Sequence, residues 1–347
     1  MFQLLDEIRR RTGDVLDVAG FRADETPHRV IAEFEGARVR SYQAIGSIRG
    51  PVLLIVAAPF KAPYIWDLMP PVSVVRRCLA SGIQVYLLEW TTPGADEDRL
   101  GLDDYAGRLI EAAVATVRAE TGCSGLILSG HSLGGTFAAI YVSLHANRVR
   151  GLALIDAPLS FGEEGDPLSH AIAAIPNAPS PRIIFGSPVP GSAINLLSAL
   201  AAPNVYLGQP IADFAGSLFD PVAMVIHAHV RRWMLDEFPI PGRLFDDIVE
   251  LLYRNNRFMH GSLEIGGKPT GVERLQGRLL AVVNSAGGIV PPMSIHAALN
   301  KVGPRMSRQV LAYQGGHGPA LQHLGPLVAP RAHQRLWPEI IRWITAP

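Results

Sequence analysis

The chain has 347 residues, which at roughly 150 residues per domain corresponds to two domains or to one large α/β domain with an insertion. Hydrophobic residues make up 48% of the sequence and charged residues 18%, a composition that excludes a disordered chain. The 31 Lys and Arg residues balance the 31 Asp and Glu residues. This lack of net positive charge argues against nucleic acid as a partner.

The sequence contains no pattern typical of a membrane span, a secretion signal or a metal site. The longest apolar run, residues 51 to 60, is far shorter than the roughly 20 residues that a membrane-spanning helix needs. Acidic and basic residues are mixed within the first dozen positions, so we expect a cytoplasmic location. Cys78 and Cys123 fall in different predicted elements without metal-ligand spacing. We therefore predict no disulfide, no metal and no cofactor.

Short apolar runs rich in Val, Ile and Leu alternate with helical patterns between residues 51 and 157, as in parallel strands joined by helices. We expect strands within 29–45 and a short helix up to about Thr12 ahead of them. Asp103 and Asp104 suit the first turn of the clearest helix, 101–122, and Gly122 suits its end. The predicted strands of this half are 51–59, 83–90, 124–130 and 149–157.

The pattern changes after Pro158, where Pro, Gly, Ala and Ser become dense and helical stretches such as 245–259 follow. Strand and helix alternation returns with a strand at 278–286, a helix near 294–302, a strand at 308–316 and a final helix. We therefore predict an α/β core of residues 1–157 and 273–347. Residues 158–272 are predicted to form a cap over the carboxyl edge of the sheet, where ligands bind in such folds.

A G-x-S-x-G motif runs from Gly130 through Ser132 to Gly134, directly after a predicted strand and before an apolar helix. In a strand–turn–helix elbow the glycines avoid collisions with neighbouring backbone, and the serine hydroxyl lies at the N-terminus of the helix. This context makes Ser132 the candidate nucleophile. The alternative is a glycine-rich turn in which the serine only caps the helix.

A serine nucleophile needs backbone donors for the oxyanion that forms in the transition state. The N–H of Leu133 is the first predicted donor. The second should come from the loop after strand 51–59, where Pro59 has no N–H to give. Phe60 and Lys61 remain as candidates, and Phe60 is our choice.

The general base should lie beyond the last predicted strand, where two histidines occur. His317 stands in a GGHG sequence and His323 in LQHLG. Either one could instead be a partly buried structural histidine. Position alone does not separate them.

The sequence contains six distinctive stretches: PYIWDLMP at 63–70, VYLLEW at 85–90, GLDDYAG at 101–107, WMLDEFPIPGRLF at 233–245, LYRNNRF at 252–258 and IVPPMS at 289–294. Together they resemble the polyhydroxyalkanoate synthases and their relatives. The resemblance runs from about Pro51 to Trp343, and its most specific parts are WMLDEFPIPG and LYRNNRF.

The resemblance implies an α/β-hydrolase fold, with a mostly parallel sheet, helices on both faces and an inserted cap. It also implies transfer of hydroxyacyl groups from coenzyme A to a cysteine at the elbow. Here Ser132 replaces that cysteine, and a serine depends more on a neighbouring base. The acid of the family precedes the IVPP run, but residues 285–288 read Ser-Ala-Gly-Gly and contain no carboxylate.

The resemblance also separates the two histidines. In the family the base is followed by an aliphatic residue, a glycine and, three positions on, a valine, which matches His323 with Gly325 and Val328. We therefore predict that His323 is the base. His317 stays the alternative because GGHG copies the usual approach to the base.

Asp156 is the predicted acid, because it ends the strand that follows the nucleophile's strand and helix. Its carboxylate should emerge at the same sheet edge as Ser132, and some α/β-hydrolases place their acid there. Asn284 ends the next strand and could orient an imidazole, but it cannot balance its charge. The other interpretation of Asp156 is a turn residue that leads into Pro158.

These residues predict a serine-dependent enzyme that hydrolyses or transfers a hydroxyacyl ester or thioester, acyl-coenzyme A included. One alternative is a synthase that polymerises hydroxyacyl-coenzyme A with serine in place of cysteine. Another is a catalytically silent homologue that serves as a partner subunit. A homodimer is compatible with the sequence, which does not fix the oligomeric state.

Overall fold

The computed structural model describes residues 1–42, 50–162, 166–178, 180–315 and 323–347. Its main feature is an eight-stranded sheet in the order β1-β2-β4-β3-β5-β6-β9-β10. Strands β1, β2 and β4 pair antiparallel, and all pairs from β4 to β10 are parallel. The strands are β1 (His28–Phe34), β2 (Ala37–Tyr42), β3 (Val52–Val56), β4 (Gln84–Trp90), β5 (Leu126–His131), β6 (Val149–Ile155), β9 (Gly277–Asn284) and β10 (Met306–Tyr313), and β7 (Leu263–Ile265) and β8 (Lys268–Thr270) form a separate hairpin.

Helices connect the strands and fill the long segment between β6 and β9. The α-helices are α1 (Phe2–Leu16), α2 (Val74–Ala80), α3 (Leu109–Thr121), α4 (Leu133–His145), α5 (Pro167–Ala174), α6 (Ser180–Phe185), α7 (Gly191–Ala201), α8 (Gln209–Ser217), α9 (Pro221–Met234), α10 (Gly242–Asp247), α11 (Arg257–His260), α12 (Pro292–Lys301), α13 (Gly325–Val328) and α14 (Trp337–Thr345).

Side chains of β3 alternate between two hydrophobic clusters, one on each face of the sheet. Leu54 and Val56 pack with α3, α4 and α12, whereas Leu53 and Ile55 pack with α2 and α14. Strands buried on both faces have continuous apolar sequences, and these strands could therefore be predicted from the sequence. The six predicted parallel strands are confirmed, and their ends shift by at most three residues.

The helix predicted over 245–259 is wrong as a single element. Helix α10 continues into a π-helical segment, Ile248–Arg254, and α11 starts only at Arg257. Asn256 lies between them with φ +44°, a left-handed conformation that a right-handed helix cannot include. Its side-chain Oδ1 accepts a hydrogen bond from the N–H of Phe161 across 3.1 Å. A tertiary contact therefore replaces the next turn of helix.

Candidate active site

Ser132 occupies the tight turn between β5 and α4. Its backbone has φ +54° and ψ −137°, a strained conformation for a residue with a side chain, of a kind that costs about 1–3 kcal/mol and clusters at functional sites. A Cβ on Gly130 would lie 2.4 Å from the backbone N of Gly135, and one on Gly134 would lie 2.3 Å from the carbonyl O of Val56. Only glycine fits at these two positions. The glycines of the motif therefore avoid collisions with neighbouring backbone, as the sequence predicted.

His323 and Asp156 meet at the same edge of the sheet. Nδ1 of His323 lies 2.9 Å from Oδ2 of Asp156, and the exposed fractions of the two side chains are 13% and 1%. Asp156 follows β6 with φ +45°, and its N–H donates to the carbonyl of Val282 across 3.0 Å. The structure thus brings the predicted base and the predicted acid into direct contact.

Burial acts on both members of this pair. It raises the pKa of Asp156, whereas the neighbouring His131 and hydrogen bonds from the backbone and side chain of Asn284 act in the opposite direction. Burial also lowers the pKa of His323, so its imidazole is neutral at pH 7. A neutral imidazole with Nδ1–H directed to a carboxylate has Nε2 free to accept a proton, which is the state that a general base requires.

His131, the second residue of the motif, makes a contact that the sequence did not predict. Its Nε2 lies 2.8 Å from the backbone carbonyl of His323, and the two imidazole rings are 4.3 Å apart between centroids. Burial, and then the neighbouring His323, lower the pKa of His131 to about 3. A neutral His131 that donates from Nε2 therefore fixes the backbone at His323. No periodic pattern in the sequence signals a contact between a strand end and a distant loop.

A cavity of about 130 Å³ opens beside these groups. Ser132, Leu133, His323 and Phe60 all line it, together with side chains from the segment between β6 and β9. Those side chains are Pro158, Leu168, Ser198, Val205, Tyr206, Gln209, Trp233, Met234 and Tyr253.

A second cavity of about 320 Å³ adjoins the first and shares Phe60, Leu133 and Tyr253 with it. Apart from Ser198 its walls are aliphatic and aromatic side chains, mostly from α5, α7 and the π-helical segment Ile248–Arg254. An apolar space that touches Leu133 can accept a hydrocarbon chain attached to a group bound at Ser132.

The structure places some of the remaining predicted residues near the site and leaves the roles of others untested. Asn284 lies beside Asp156 and forms hydrogen bonds with it. The side chain of Lys61 also lines the first cavity, where it pairs with Glu237. His317 lies outside the described residues, so its candidacy stays a prediction. The oxyanion roles of Leu133 and Phe60 stay predictions as well.

Known proteins with similar sequences indicate the same fold and the same family resemblance. Residues 65–179 match the family model described as the alpha/beta hydrolase fold. The chain is 28% identical over 349 residues to the poly(3-hydroxyalkanoate) polymerase subunit PhaC of Haloferax mediterranei, covering 98% of this chain and 68% of the relative. It is 27% identical to the subunit of the same name from Haloarcula marismortui, covering 84% of this chain and 60% of that relative.

Solved structures show the same fold at low sequence identity. A carboxylesterase from Nitrososphaera gargenis superposes with a TM-score of 0.55 at 14% identity, covering 92% of this chain and 99% of that one. The chain is an α/β-hydrolase-fold enzyme. The predicted fold class is thereby confirmed, and so is the similarity of the chain to the polyhydroxyalkanoate synthases. Among the described residues of the enzyme, no helix has both the length and the apolar character needed to cross a membrane.

Proposed function

We propose that this enzyme transfers acyl groups through an ester on Ser132, with His323 as the base and Asp156 as the acid. The observation that carries the proposal is the 2.9 Å contact between His323 and Asp156 beside a cavity that Ser132 also lines. Neighbouring groups of these types, with the imidazole oriented by a carboxylate, are the requirement for activating a serine hydroxyl.

In the proposed reaction Oγ of Ser132 attacks the carbonyl carbon of an ester or thioester, and Nε2 of His323 takes the hydroxyl proton. The carboxylate of Asp156 stabilises the imidazolium that results. N–H groups of Leu133 and Phe60 bind the oxyanion, which the N-terminus of α4 also favours. His323 then gives its proton to the departing alcohol or thiol. Water or an alcohol releases the acyl group by the same steps in reverse order.

The proposed substrate is a hydroxyacyl ester or thioester. Apolar walls in both cavities suit the acyl chain, and the relatives in Haloferax and Haloarcula are named as poly(3-hydroxyalkanoate) polymerase subunits. The predicted cap, residues 158–272, contributes most of these walls in this proposal. A cytoplasmic location remains part of the proposal too.

Polymerisation of hydroxyacyl-coenzyme A is the second candidate, because the curated relatives carry the polymerase name over most of this chain. A serine ester is less labile than a cysteine thioester, which favours release or simple transfer over repeated chain growth. Incubation with 3-hydroxybutyryl-coenzyme A, followed by separate assays for free acid and for polymer, distinguishes the two. Free acid without polymer is the expected result.

The acyl-serine itself can be tested by mass spectrometry after treatment with a fluorophosphonate. We expect the adduct on Ser132, complete loss of labelling in Ser132→Ala, and loss of 4-nitrophenyl ester turnover in the same variant. Labelling only at another residue would contradict the assignment. If the folded wild-type protein neither labels nor turns over any of these substrates, the silent partner-subunit hypothesis replaces this proposal.

A further inference from the structure

The WMLDEF stretch at residues 233–238 has no role in the chemistry described above, yet it lies directly against the loop that carries Phe60. We call residues 57–62 the oxyanion loop and residues 233–238 the brace segment. Lys61 and Glu237 face each other in an antiparallel bridge between them. The N–H of Phe238 donates to the carbonyl of Phe60 across 3.1 Å, and the N–H of Ala62 donates to the carbonyl of Asp236 across 3.4 Å.

Side chains add three more connections between these two segments. Indole Nε1 of Trp233 donates to the carbonyl of Ala62 across 2.7 Å. The hydroxyl of Tyr64, just beyond the loop, donates to the carboxylate of Asp236 across 2.7 Å. The ammonium of Lys61 forms an ion pair with Glu237 and lies 4.9 Å from the centre of the Trp233 ring.

Glu237 is the centre of this arrangement. Only 3% of its side chain is exposed, and besides Lys61 it pairs with Arg9 of α1 across 2.9 Å and accepts a hydrogen bond from Asn195 of α7 across 3.0 Å. A buried ion pair is weak evidence for stability, because apolar side chains of similar volume commonly serve as well. Its best attested use is to fix the register of two elements.

Register matters at this position because the bridge has few backbone hydrogen bonds. Residues directly opposite in an antiparallel pair project to the same face, so the Lys61–Glu237 pair forms in one alignment only. A slip by one residue would remove the hydrogen bond to the carbonyl of Phe60 and reorient the backbone around the N–H of Phe60, which donates to the oxyanion in the proposed function. Oxyanion donors act through preorganisation, so their rate effect depends on this orientation.

We propose that Glu237 is a positioning residue that fixes the oxyanion loop through Lys61 in the geometry required for transition-state stabilisation. This inference rests on the proposed function, in which Phe60 donates to the oxyanion. It assigns a role to the brace segment, which lies about 100 residues after Ser132 in the chain.

The test is Glu237→Gln, which keeps the shape of the side chain and removes its charge. We expect kcat for 4-nitrophenyl butyrate to fall at least tenfold while KM stays within threefold. The inhibition constant of a trifluoromethyl ketone, which forms a tetrahedral adduct with the serine, should rise by the same factor as kcat falls. A purely structural role would not couple these two quantities.

Glu89→Gln is the matched control, because Glu89 is also a buried carboxylate paired with cations, at 9% exposure, but its partners Arg38 and Arg40 lie on β2, outside the oxyanion loop. This control should lower the melting temperature and leave kcat and the inhibition constant unchanged. Tyr64→Phe is a milder second variant, which removes one hydroxyl between the two segments. It should lower kcat severalfold with KM unchanged, even if Glu237→Gln does not fold.

The outcomes separate this inference from the proposed function. If the wild type turns over esters and folded Glu237→Gln keeps kcat within twofold, or raises KM alone, the positioning role is overturned and the acyl-serine mechanism stands. Unchanged kcat in Tyr64→Phe, should Glu237→Gln not fold, overturns it equally. If the wild type shows no turnover and no labelling of Ser132, the proposed function fails and this inference fails with it.

Discussion

The carboxylate of Asp156 is the charged group in direct contact with His323, since it is buried and its Oδ2 lies 2.9 Å from Nδ1 of His323. Asp156→Asn should therefore reduce kcat by orders of magnitude with the fold intact, since both the tautomer and the charge support are lost. A folded variant with kcat within tenfold of the wild type would show that Asp156 is not the acid.

The same variant should change the pH profile of kcat/KM in one direction. With His323 as the proposed base, turnover requires its neutral form, so activity is lost as the pH falls through the pKa of this group. Burial lowers that pKa. A carboxylate beside an imidazole favours the charged imidazolium, so Asp156 acts on this pKa in the opposite direction. Removal of the charge should therefore move the acidic limb to lower pH. A shift of the limb to higher pH would contradict the assignment.

Separate alanine variants decide between the two histidines. His323→Ala should abolish ester turnover, because it removes the only imidazole that the described part of the structure places within hydrogen-bond distance of the carboxylate of Asp156. His317→Ala should retain most of the activity. The reverse result would make His317 the base, and thermal melting of both variants serves as the folding control.

At the scale of elements, the elbow depends on how closely β3, β5 and α4 approach one another. Gly134→Ala would place a Cβ 2.3 Å from the carbonyl O of Val56, which is backbone and cannot rotate away. We expect a loss of about 1–3 kcal/mol in the free energy of unfolding, together with loss of activity.

Gly208→Ala is the control for this substitution. Gly208 has φ −74° and ψ −49°, and a Cβ there would meet no atom within 4 Å. Its urea midpoint should stay unchanged or rise slightly, because alanine restricts the unfolded chain. Equal losses of stability in the two variants would show that close approach at the elbow is not the cause.

The elements that the sequence predicted correctly are those whose residues carry a local signal. The parallel strands are continuous apolar runs, and the turn around Ser132 needs glycines on both sides of the serine. The proximity of Asp156 to His323 could be predicted because topology sends the ends of neighbouring parallel strands to one edge. Contacts of Glu237 with Lys61 and Arg9 could not be found this way, since they join loops and helices far apart in the sequence through irregular backbone.

At the scale of the whole molecule, acid stability should depend on Glu89, which bridges β2 and β4 through Arg38 and Arg40. Burial alone would raise the pKa of Glu89, but the hydrogen bonds and charges of the two arginines outweigh it and hold the pKa below its usual 4.5. A lowered pKa contributes stability that is complete above the unfolded value and is lost as the pH falls through the folded value.

Urea unfolding between pH 7 and pH 3 tests this dependence. The wild type should lose part of its free energy of unfolding below about pH 4.5, and Glu89→Gln should start lower at pH 7 and lose less over the same interval. Parallel curves for the two proteins would show that this carboxylate makes no pH-dependent contribution to stability.

The place of Asp156 after β6 also affects how descendants of this chain can diverge. Residues 285–291, which follow β9, carry no carboxylate, and two of their side chains, Ile289 and Val290, line the cavity beside Ser132. A loop without a catalytic group can accept insertions and replacements without harm to proton transfer. With Asp156 as the proposed acid, selection for new acyl groups can therefore act on this loop independently, whereas a chain with its acid there must preserve the loop's conformation.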